Sequence, residues 1–501
     1  MSHIADAPRD GAWLTLVETD APRPTRVASP PPSASEGEVL ASLVHLSDCH
    51  VCDPESPARL EYLEQFGMPG SPYRDVLGTI GTYRPHEIFT TQLLASMIDA
   101  VNARPRSGRT GRAWDAAVIT GDLTDNVQCN ELDWYLEVVR GGTLTPHSGD
   151  ASRSEWVGSP HARWSPWYWH PEGGARGDVF RDDHGYPLVP GLVDAARAAF
   201  STPGLRIPHH SVYGNHDGLL QGTVAADRDL RALAVAGERV VDIDPADTPL
   251  VTLDAVPGLG PARYVHTPRS PREPVTASPH RALVDRGAFT RAVGRPHTYF
   301  STDVGPHVRL VALDTVNPHG GWEGSLDRAQ LDWLRAQLGA AGDRWIVIAS
   351  HHPSWCLTNR WGGPDAEPRV GADEVLALLL PHPRVVAWMA GHVHSHGLIR
   401  HGRADGRDWL WEITAAAVID WPQQGRTLEV VRAPDGEIRL LSSTFDHAAP
   451  VPWRPDLLDG HLAIASIART VARNHLRIRA RGDRAPEGVD VHDAVLATGR
   501  R

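Results

Sequence analysis

Short runs of apolar residues recur along the chain, and each run ends in a cluster of polar side chains. Five of them have the length of a strand: 40–47, 116–121, 207–214, 344–350 and 384–391. Continuous apolar runs of this kind are typical of strands that are covered on both faces. The stretch 297–315 instead alternates in polarity and turns at Val304–Pro306, which predicts a hairpin.

Segments with helical periodicity lie between the apolar runs. The stretch 86–102 carries one apolar stripe, formed by Ile88, Phe89, Leu93, Leu94, Met97, Ile98 and Val101. A second helix is predicted over 325–339, with Ser325 as its N-cap and Gly339 at its C-terminus. The mixture of strands and helices predicts the α/β class.

The distribution of regular and irregular stretches along the chain predicts one large domain with two insertions and an extension at each end. Residues 1–38 become rich in Pro and Ser and are interpreted as an N-terminal extension and linker. Residues 39–449 hold the strand and helix pattern, with irregular insertions at about 127–205 and 219–295. Residues 450–501 are predicted to form a C-terminal helical extension.

Composition narrows the class of protein. Hydrophobic residues make up 41% and charged residues 22% of the 501, as in globular proteins, and the net charge is −12. Proteins that bind mainly nucleic acid tend to be basic, so this charge argues against such a partner. We found neither an N-terminal signal pattern nor an apolar stretch of about 18 residues, which predicts a cytoplasmic protein without a membrane partner. The sequence gives no indication of an oligomeric state.

The four cysteines are too few for a disulfide scaffold in a chain of this length. Cys49 and Cys52 form a CxxC pair, which could indicate a redox or a zinc-binding motif. Because there is no second CxxC, we favour reduced thiols and keep a redox or zinc protein as the rival hypothesis.

A cluster of Asp, Asn or His residues follows each of the five apolar runs. In chain order the clusters read SDCH, GDLTD, GNHD, SHHP and GHVH. Ligands of open α/β sheets gather at the carboxyl ends of the strands. We therefore expect the five clusters to converge on one rim.

The ordered blocks from Asp48 to His394 resemble those of the calcineurin-like metallophosphoesterases. The resemblance implies a four-layer αββα sandwich of two mixed β-sheets flanked by helices, with a dinuclear metal site at the C-terminal rim of the strands. It implies that one metal is held by Asp48, His50 and His394, the other by Asn215, His351 and His392, and that Asp122 bridges them. Mixed carboxylate and imidazole ligands suit two divalent ions of Mn, Fe or Zn.

The same resemblance implies roles for residues that do not bind metal. His216 is expected to protonate the leaving alkoxide or to stabilise the transition state. Asp125 is expected to hold the imidazole of His216 in place. His351 is preferred to His352 as the ligand because it lies closer to the end of the strand, and Asp217 is interpreted as structural. His396 is expected outside the ligand set, either beside the site or exposed.

The implied reaction is hydrolysis of a phosphoester by a hydroxide that two metal ions activate. Thr124 stands where purple acid phosphatases have Tyr, Asp125 where repair nucleases have His, and the arginine of the Ser/Thr phosphatases is missing. With these three subfamilies set aside, the sequence resembles the bacterial long-insert group related to class III cyclic-nucleotide phosphodiesterases. We therefore predict a phosphodiesterase acting on a small-molecule or nucleotide ester. The alternatives are a phosphomonoesterase and a catalytically degenerate metal-binding scaffold.

The first insertion contains a dense group of aromatic residues: Trp156, Trp164, Trp167, Tyr168 and Trp169. It joins two blocks that are both expected on the metal rim, and long loops in such places are often lids or binding elements. Two interpretations stay open. The rings pack a small satellite core, or one or two of them line the substrate pocket and stack on a planar group.

Overall fold

The computed structural model describes residues 3–6, 13–19, 37–67, 83–174, 176–242, 269–362, 368–402, 406, 409–481 and 492–500. Much of the predicted N-terminal linker and the middle of the second predicted insertion lie outside the described residues, as do residues 482–491 of the C-terminal extension.

Strands and helices alternate along most of the described chain. The strands are β1 (His3–Asp6), β2 (Leu16–Thr19), β3 (Glu38–Leu46), β4 (Ala116–Ile119), β5 (Gly142–Leu144), β6 (Phe200–Thr202), β7 (His209–Ser211), β8 (Glu238–Val240), β9 (Arg272–Pro274), β10 (Phe300–Val304), β11 (Val308–Ala312), β12 (Trp345–Ala349), β13 (Val385–Ala390), β14 (Gly397–Gly402), β15 (Trp409–Thr414), β16 (Gln424–Arg432), β17 (Ile438–Asp446) and β18 (Asp493–Ala497). The helices are α1 (Glu64–Gly67), α2 (Thr90–Asn102), α3 (Cys129–Arg140), α4 (Val179–His184), α5 (Leu192–Arg197), α6 (Arg228–Ala234), α7 (Arg286–Val293), α8 (Arg328–Gly339), α9 (Ala372–Leu379), α10 (His461–Asn474) and α11 (Leu476–Arg481).

Two six-stranded mixed sheets form the centre of the fold. The first has the order β18-β17-β16-β3-β4-β7, in which β3, β4 and β7 are parallel. The second has the order β10-β11-β12-β13-β15-β14, in which β11, β12, β13 and β15 are parallel. All five predicted strands are present as β3, β4, β7, β12 and β13, and the predicted hairpin is the antiparallel pair β10–β11.

Alternating side chains explain how the sheets are layered. In β3, Leu43 belongs to the core between the two sheets, whereas its neighbour Val44 belongs to the core under the helices. Helices α2 and α3 cover the outer face of the first sheet, and α8 and α9 cover the outer face of the second. These four layers confirm the predicted αββα sandwich.

Several details differ from the sequence interpretation. Residues 450–501, predicted as a helical extension, also contain β18, which pairs with β17 as a strand of the first sheet. The N-cap of α8 is Asp327 and not Ser325, because the Asp327 carboxylate accepts the hydrogen bond of the Gln330 amide at 2.7 Å. Ser325 is buried, and its hydroxyl accepts from Arg369. The predicted insertion at 127–205 also begins with a regular element, since α3 is amphipathic and packs beside α2.

The aromatic residues of the first insertion mostly pack a core of their own. Trp156, Tyr168 and Trp169 are buried in one cluster with apolar residues of α10. The indole of Trp156 donates to Glu87 at 3.0 Å, which satisfies its only polar atom. For these three rings the interpretation as a satellite core is confirmed. None of the described helices has the length and apolar character that crossing a membrane requires.

Candidate metal centre

The five polar clusters lie together at the carboxyl ends of β3, β4, β7, β12 and β13, as predicted. Eight non-glycine residues of the described chain have positive φ, and five of them are predicted metal ligands: Asp48, His50, Asp122, His392 and His394. Left-handed backbone is uncommon for residues with a Cβ, and such residues cluster at functional sites. The chain therefore holds these ligand residues in a strained backbone that turns sharply at the rim.

Two glycines of the motifs allow the close approach of ligand side chains. A Cβ on Gly121 would lie 2.6 Å from Nδ1 of His351. A Cβ on Gly391 would lie 2.6 Å from Oδ2 of Asp48 and closer still to Ser47. Glycine thus precedes Asp122 and His392 because any larger residue would push the ligand residues apart.

The first predicted ligand group is assembled from both sheets. His50 and His394 bring their Nε2 atoms to 3.3 Å from each other, and His394 Nε2 lies 3.3 Å from Oδ1 of Asp48. Asp48 also accepts the His392 amide through both oxygens, at 3.1 and 3.0 Å. These contacts fix the GHVH loop of one sheet against the first block of the other.

Asp122 lies between the two predicted ligand groups. Its Oδ2 is 3.5 Å from Nε2 of His50 and 3.1 Å from Nε2 of His351. The latter nitrogen is in turn 3.2 Å from Nδ1 of His392. A carboxylate in contact with a histidine of each group is the arrangement that a bridging ligand needs.

Asn215 completes the second group with an oxygen that has no partner. Its Nδ2 donates to the Gly222 carbonyl at 2.9 Å, whereas Oδ1 is buried without a hydrogen bond in the described structure. A buried acceptor without a partner is unfavourable in a folded protein unless a ligand satisfies it. The side chain lines the same cavity as Asp122 and His392.

These distances fit metal ligands. Ligand atoms at about 2.1 Å from one ion, and 90–110° apart, lie about 3.0–3.4 Å from each other. The contacts just described measure 3.1–3.5 Å. Four groups of described residues could hold an ion: Asp48–His50–His394, Asp48–Asp122–His351, His50–Asp122–His216 and His351–His352–His392. The donor set and its spacing therefore suit two divalent ions.

The structure also distinguishes His351 from His352 as the candidate metal ligand. His351 donates from Nδ1 to the Thr120 carbonyl at 2.8 Å and leaves Nε2 among the other ligands. His352 lies close enough to His351 and His392 to join a candidate group. However, both of its ring nitrogens already have partners, Thr315 Oγ1 at 2.7 Å and the Trp322 carbonyl at 3.0 Å. Its nitrogens are therefore occupied, and the geometry favours His351.

The predicted pairing of Asp125 with His216 needs a correction. Nδ1 of His216 contacts the main-chain carbonyl of Asp125 at 2.6 Å, while the carboxylate is 3.7 Å away. The carboxylate instead contacts Nδ1 of His50 at 2.9 Å. Asp125 thus positions both imidazoles, but its charged group serves a predicted metal ligand. A carboxylate that accepts from a ligating histidine fixes the ring and raises its basicity.

Sequence reasoning missed a matching carboxylate at the end of a sixth strand. Asp420 follows β15, which lies parallel to β13, and its Oδ2 is 2.7 Å from Nδ1 of His394. Its Oδ1 is 3.1 Å from His86. The stretch 415–420 is apolar up to this residue, so a polar residue ending another apolar run was the available signal. Both histidines of the first ligand group therefore have a carboxylate behind them.

Other polar residues of the motifs have structural partners. Asp217 accepts from the amides of Leu123, Thr124 and Gly214, which is the structural role predicted for it. His396 is buried and lies 3.2 Å from Gln424, away from the ligand nitrogens. Cys49 and Cys52 are free and buried, and burial raises the pKa of both thiols, which disfavours the thiolate that zinc binding requires.

Burial and mutual charge set the protonation of the ligand groups. Burial opposes ionisation of Asp48, but His394 and His351 outweigh it and lower the carboxyl pKa to about 2. Burial likewise opposes protonation of His351 and His394, yet nearby carboxylates raise both pKa values to about 9. A proton and a metal ion compete for the same nitrogen of such a histidine. The carboxylates are anionic at neutral pH, the form that binds cations.

A cavity of about 100 Å³ opens over these ligands. The described residues that line it are Arg84, Asp122, Asp125, Asn215, His216, Gln221, Thr223, Trp322, His392 and His394. No aromatic residue of the first insertion is among them, and Trp164, Trp167 and Tyr168 line a different cavity of about 180 Å³. The ring at the metal cavity is instead Trp322, which is 41% exposed and stacks on His392 with centroids 5.8 Å apart.

Comparison with known proteins agrees with this arrangement. Residues 175–396 match the model of the calcineurin-like phosphoesterase family. The matched segment includes Asn215, His216, His351, His392 and His394 and begins after Asp48, His50 and Asp122. This match supports the resemblance to the calcineurin-like metallophosphoesterases that the motifs indicated.

Individual relatives match shorter parts. The chain is 34% identical over 93 residues to the 3',5'-cyclic adenosine monophosphate phosphodiesterase CpdA of Pseudomonas aeruginosa, which is 19% of this chain and 33% of that protein. It is 34% identical over 71 residues to the tartrate-resistant acid phosphatase type 5 of Sus scrofa, which is 14% of this chain and 19% of that protein. The chain thus matches a third or less of the length of these curated relatives.

Solved structures with low sequence identity align over most of the chain. A dimetal phosphatase from Danio rerio aligns with 81% of this chain and 96% of its own, at 14% identity and a TM-score of 0.35. GAP50, the anchor in the inner membrane complex of Plasmodium, aligns with 85% of this chain and 95% of its own, at 10% identity and a TM-score of 0.28.

Proposed function

We propose that this protein hydrolyses a phosphoester with two divalent metal ions, held by the seven predicted ligands. The observation that carries the proposal is the position of Asp122, whose Oδ2 contacts a histidine of each ligand group. The buried Oδ1 of Asn215, which has no partner in the described structure, supports it. Two such ions would polarise the phosphoryl oxygens and lower the pKa of a water nucleophile. Nitrogen and oxygen donors favour Mn, Fe or Zn.

In this proposal the protein's own residues orient the ligands and act on the leaving group. The carboxylates of Asp125 and Asp420 fix the rings of His50 and His394 through their Nδ1 atoms. The main-chain carbonyl of Asp125 holds His216 with its other nitrogen free for the cavity. His216 is thereby placed for the role of general acid, or for stabilising negative charge in the transition state.

Among phosphoesterases we favour a phosphodiesterase that acts on a small-molecule or nucleotide ester. Similarity to the Pseudomonas protein named as a cyclic-nucleotide phosphodiesterase supports this choice. So does Thr124, whose hydroxyl lies 3.1 Å from both the His216 carbonyl and the Asp217 carboxylate and so supports the loop rather than facing a metal. The similarity to an acid phosphatase keeps phosphomonoester hydrolysis as the second candidate.

One activity panel tests the proposal and its alternatives. The Mn²⁺-loaded protein is assayed with bis-p-nitrophenyl phosphate, p-nitrophenyl phosphate and cyclic AMP, and bound metal is measured on the same sample. Turnover of diesters above monoesters, with about two ions per chain, is the expected result. Preference for the monoester would select the second candidate. A protein that binds two ions and turns over none of the three esters would instead be a metal-binding scaffold.

The exposed indole at the cavity leads to a prediction on substrate preference. We expect Trp322→Ala to raise KM for bis-p-nitrophenyl phosphate more than for p-nitrophenyl phosphate, because only the diester carries a second ring to stack on the indole. Stacking of this kind contributes about 1–3 kcal/mol, or about 5- to 150-fold in KM. Steady-state kinetics on both esters measures the difference.

Trp355 offers a matched control, since it is 53% exposed and is not among the described residues that line the cavity. Trp355→Ala should leave both KM values unchanged. Equal losses on both esters in the Trp322 variant, together with a lower melting temperature, would show that Trp322 only supports the loop that carries it.

A further inference from the structure

We infer that Arg84 binds a phosphoryl oxygen of the substrate. The inference rests on the proposed phosphoesterase function and adds a residue that none of the metallophosphoesterase motifs contains. Arg84 precedes Pro85 and lies before α2, outside the five polar clusters. It nevertheless lines the metal cavity together with Asp122 and His216.

The main chain at Arg84 is held firmly. Its amide donates to a carboxylate oxygen of Glu87 at 3.3 Å, and its carbonyl accepts from the Glu87 amide at 3.0 Å. The side chain is about 10% exposed. The main chain that carries this largely buried side chain is therefore held before a ligand arrives, which reduces the entropy lost on binding.

The guanidinium lies between the two carboxylates that hold the first ligand group. Its Nη1 is 3.4 Å from Oδ1 of Asp125, and its Nε is 3.3 Å from Oδ1 of Asp420. A guanidinium has five N–H donors, and Nη2 of Arg84 has no hydrogen-bond partner among the described residues. At least one nitrogen of this arginine thus keeps its donors for a ligand.

A neighbouring arginine shows what a purely structural arrangement looks like. Arg59 contacts Asp125 at 2.6 Å and Glu87 at 2.8 Å, and its side chain is 1% exposed. Those distances are typical of charge-assisted hydrogen bonds, at about 2.7–2.9 Å, whereas the contacts of Arg84 are about 0.5 Å longer. Arg59 is not among the residues that line the metal cavity. Arg59 therefore satisfies the buried carboxylates, and Arg84 remains available.

The chemistry of the cavity gives the class of ligand. Arg84 is the one arginine among its described lining residues, and the rest of the polar lining comes from Asp122, Asp125, Asn215, His216, Gln221, Thr223, His392 and His394. A phosphoryl group is anionic, and the planar guanidinium matches the spacing of its oxygens better than an ammonium does. Inorganic phosphate, the fragment common to all phosphoesters, is therefore the appropriate probe.

The test measures phosphate binding to the Mn²⁺-loaded full chain by calorimetry in wild type, Arg84→Gln, Arg84→Lys and the surface control Arg335→Gln. Loss of a charged hydrogen bond should raise the Kd for phosphate about 10- to 100-fold in Arg84→Gln and less in Arg84→Lys. Metal content and melting temperature should stay at the wild-type values. Arg59→Gln, in contrast, should lower the melting temperature.

The inference is overturned if the phosphate Kd of Arg84→Gln equals that of wild type. It is also overturned if a loss of bound metal accounts for the whole rise in that Kd. Failure of wild type to bind phosphate also overturns it. If Arg84→Gln does not fold, Arg84→Lys decides, because it keeps a positive charge between Asp125 and Asp420 while losing the planar group. Ester turnover separates this result from the proposed function: weaker phosphate binding in the variants without any wild-type turnover would support Arg84 and contradict the phosphoesterase.

Discussion

We expect Asp122→Asn to abolish phosphoester hydrolysis and to lower the bound metal below two ions per chain. Oδ2 of Asp122 is the atom that contacts a histidine of each ligand group, His351 at 3.1 Å and His50 at 3.5 Å. An amide has nearly the same shape but no charge, so it cannot attract two cations at once. Metal analysis after Mn²⁺ loading, combined with an assay on bis-p-nitrophenyl phosphate, measures both effects.

We do not expect this substitution to act through the fold. Asp122 has φ of 51°, a left-handed conformation that Asn also adopts readily. Its Oδ1 accepts the amide of His216 at 2.8 Å, and the carbonyl oxygen of an asparagine can do the same. The matched control is Asp332→Asn on α8, where the carboxylate is 72% exposed and pairs with Arg335. Near-normal turnover with full metal content in Asp122→Asn would contradict the bridging role.

The parts of the fold that the sequence predicted are those set by local pattern. The strand Val385–Ala390 is wholly apolar because both of its faces are covered, so its continuous apolar sequence was sufficient to predict it. The ligand residues follow such strands directly, and parallel strands of one sheet end on the same side. The order of the motifs further predicted one shared rim, where Asp48 of the first sheet and His394 of the second, 346 residues apart in the chain, lie together.

What the sequence did not predict depends on contacts between distant segments. Asp420 reaches His394 because β15 happens to run parallel to β13, and no spacing between the two residues indicates this pairing. Arg84 is one of 49 basic residues and has no motif around it. The contacts of Asp125 are likewise divided between two histidines, because its carboxylate lies 2.9 Å from His50 and its main-chain carbonyl lies 2.6 Å from His216. Only the folded geometry separates those two contacts.

The second large effect is expected for substitution of His216, and it follows from the contacts of the imidazole ring. Nδ1 of the ring lies 2.6 Å from the Asp125 carbonyl, and a carbonyl can only accept, so Nδ1 carries a proton. Nε2 is then the atom that meets the substrate. Burial lowers the pKa of His216 to about 4 despite the carboxylates of Asp122 and Asp125 nearby. The ring is therefore neutral at pH 7 when no substrate is bound. A bound anionic phosphoester would favour the protonated ring, which is the form that can donate to a leaving alkoxide.

We therefore expect His216→Ala to lower kcat by about 10²- to 10⁴-fold on an alkyl ester while two metal ions stay bound. The loss should be much smaller on p-nitrophenyl esters, because p-nitrophenolate is a stable leaving group that scarcely needs a proton. The comparison requires kcat and metal content for both ester types, with His161→Ala as the control, since His161 is exposed and is not among the described residues that line the cavity. An equal loss on both esters would assign His216 to stabilising the transition state instead of protonating the leaving group. Loss of one metal ion in His216→Ala would assign His216 as a metal ligand. The fall in kcat would then come from the missing ion and would not depend on the pKa of the leaving group.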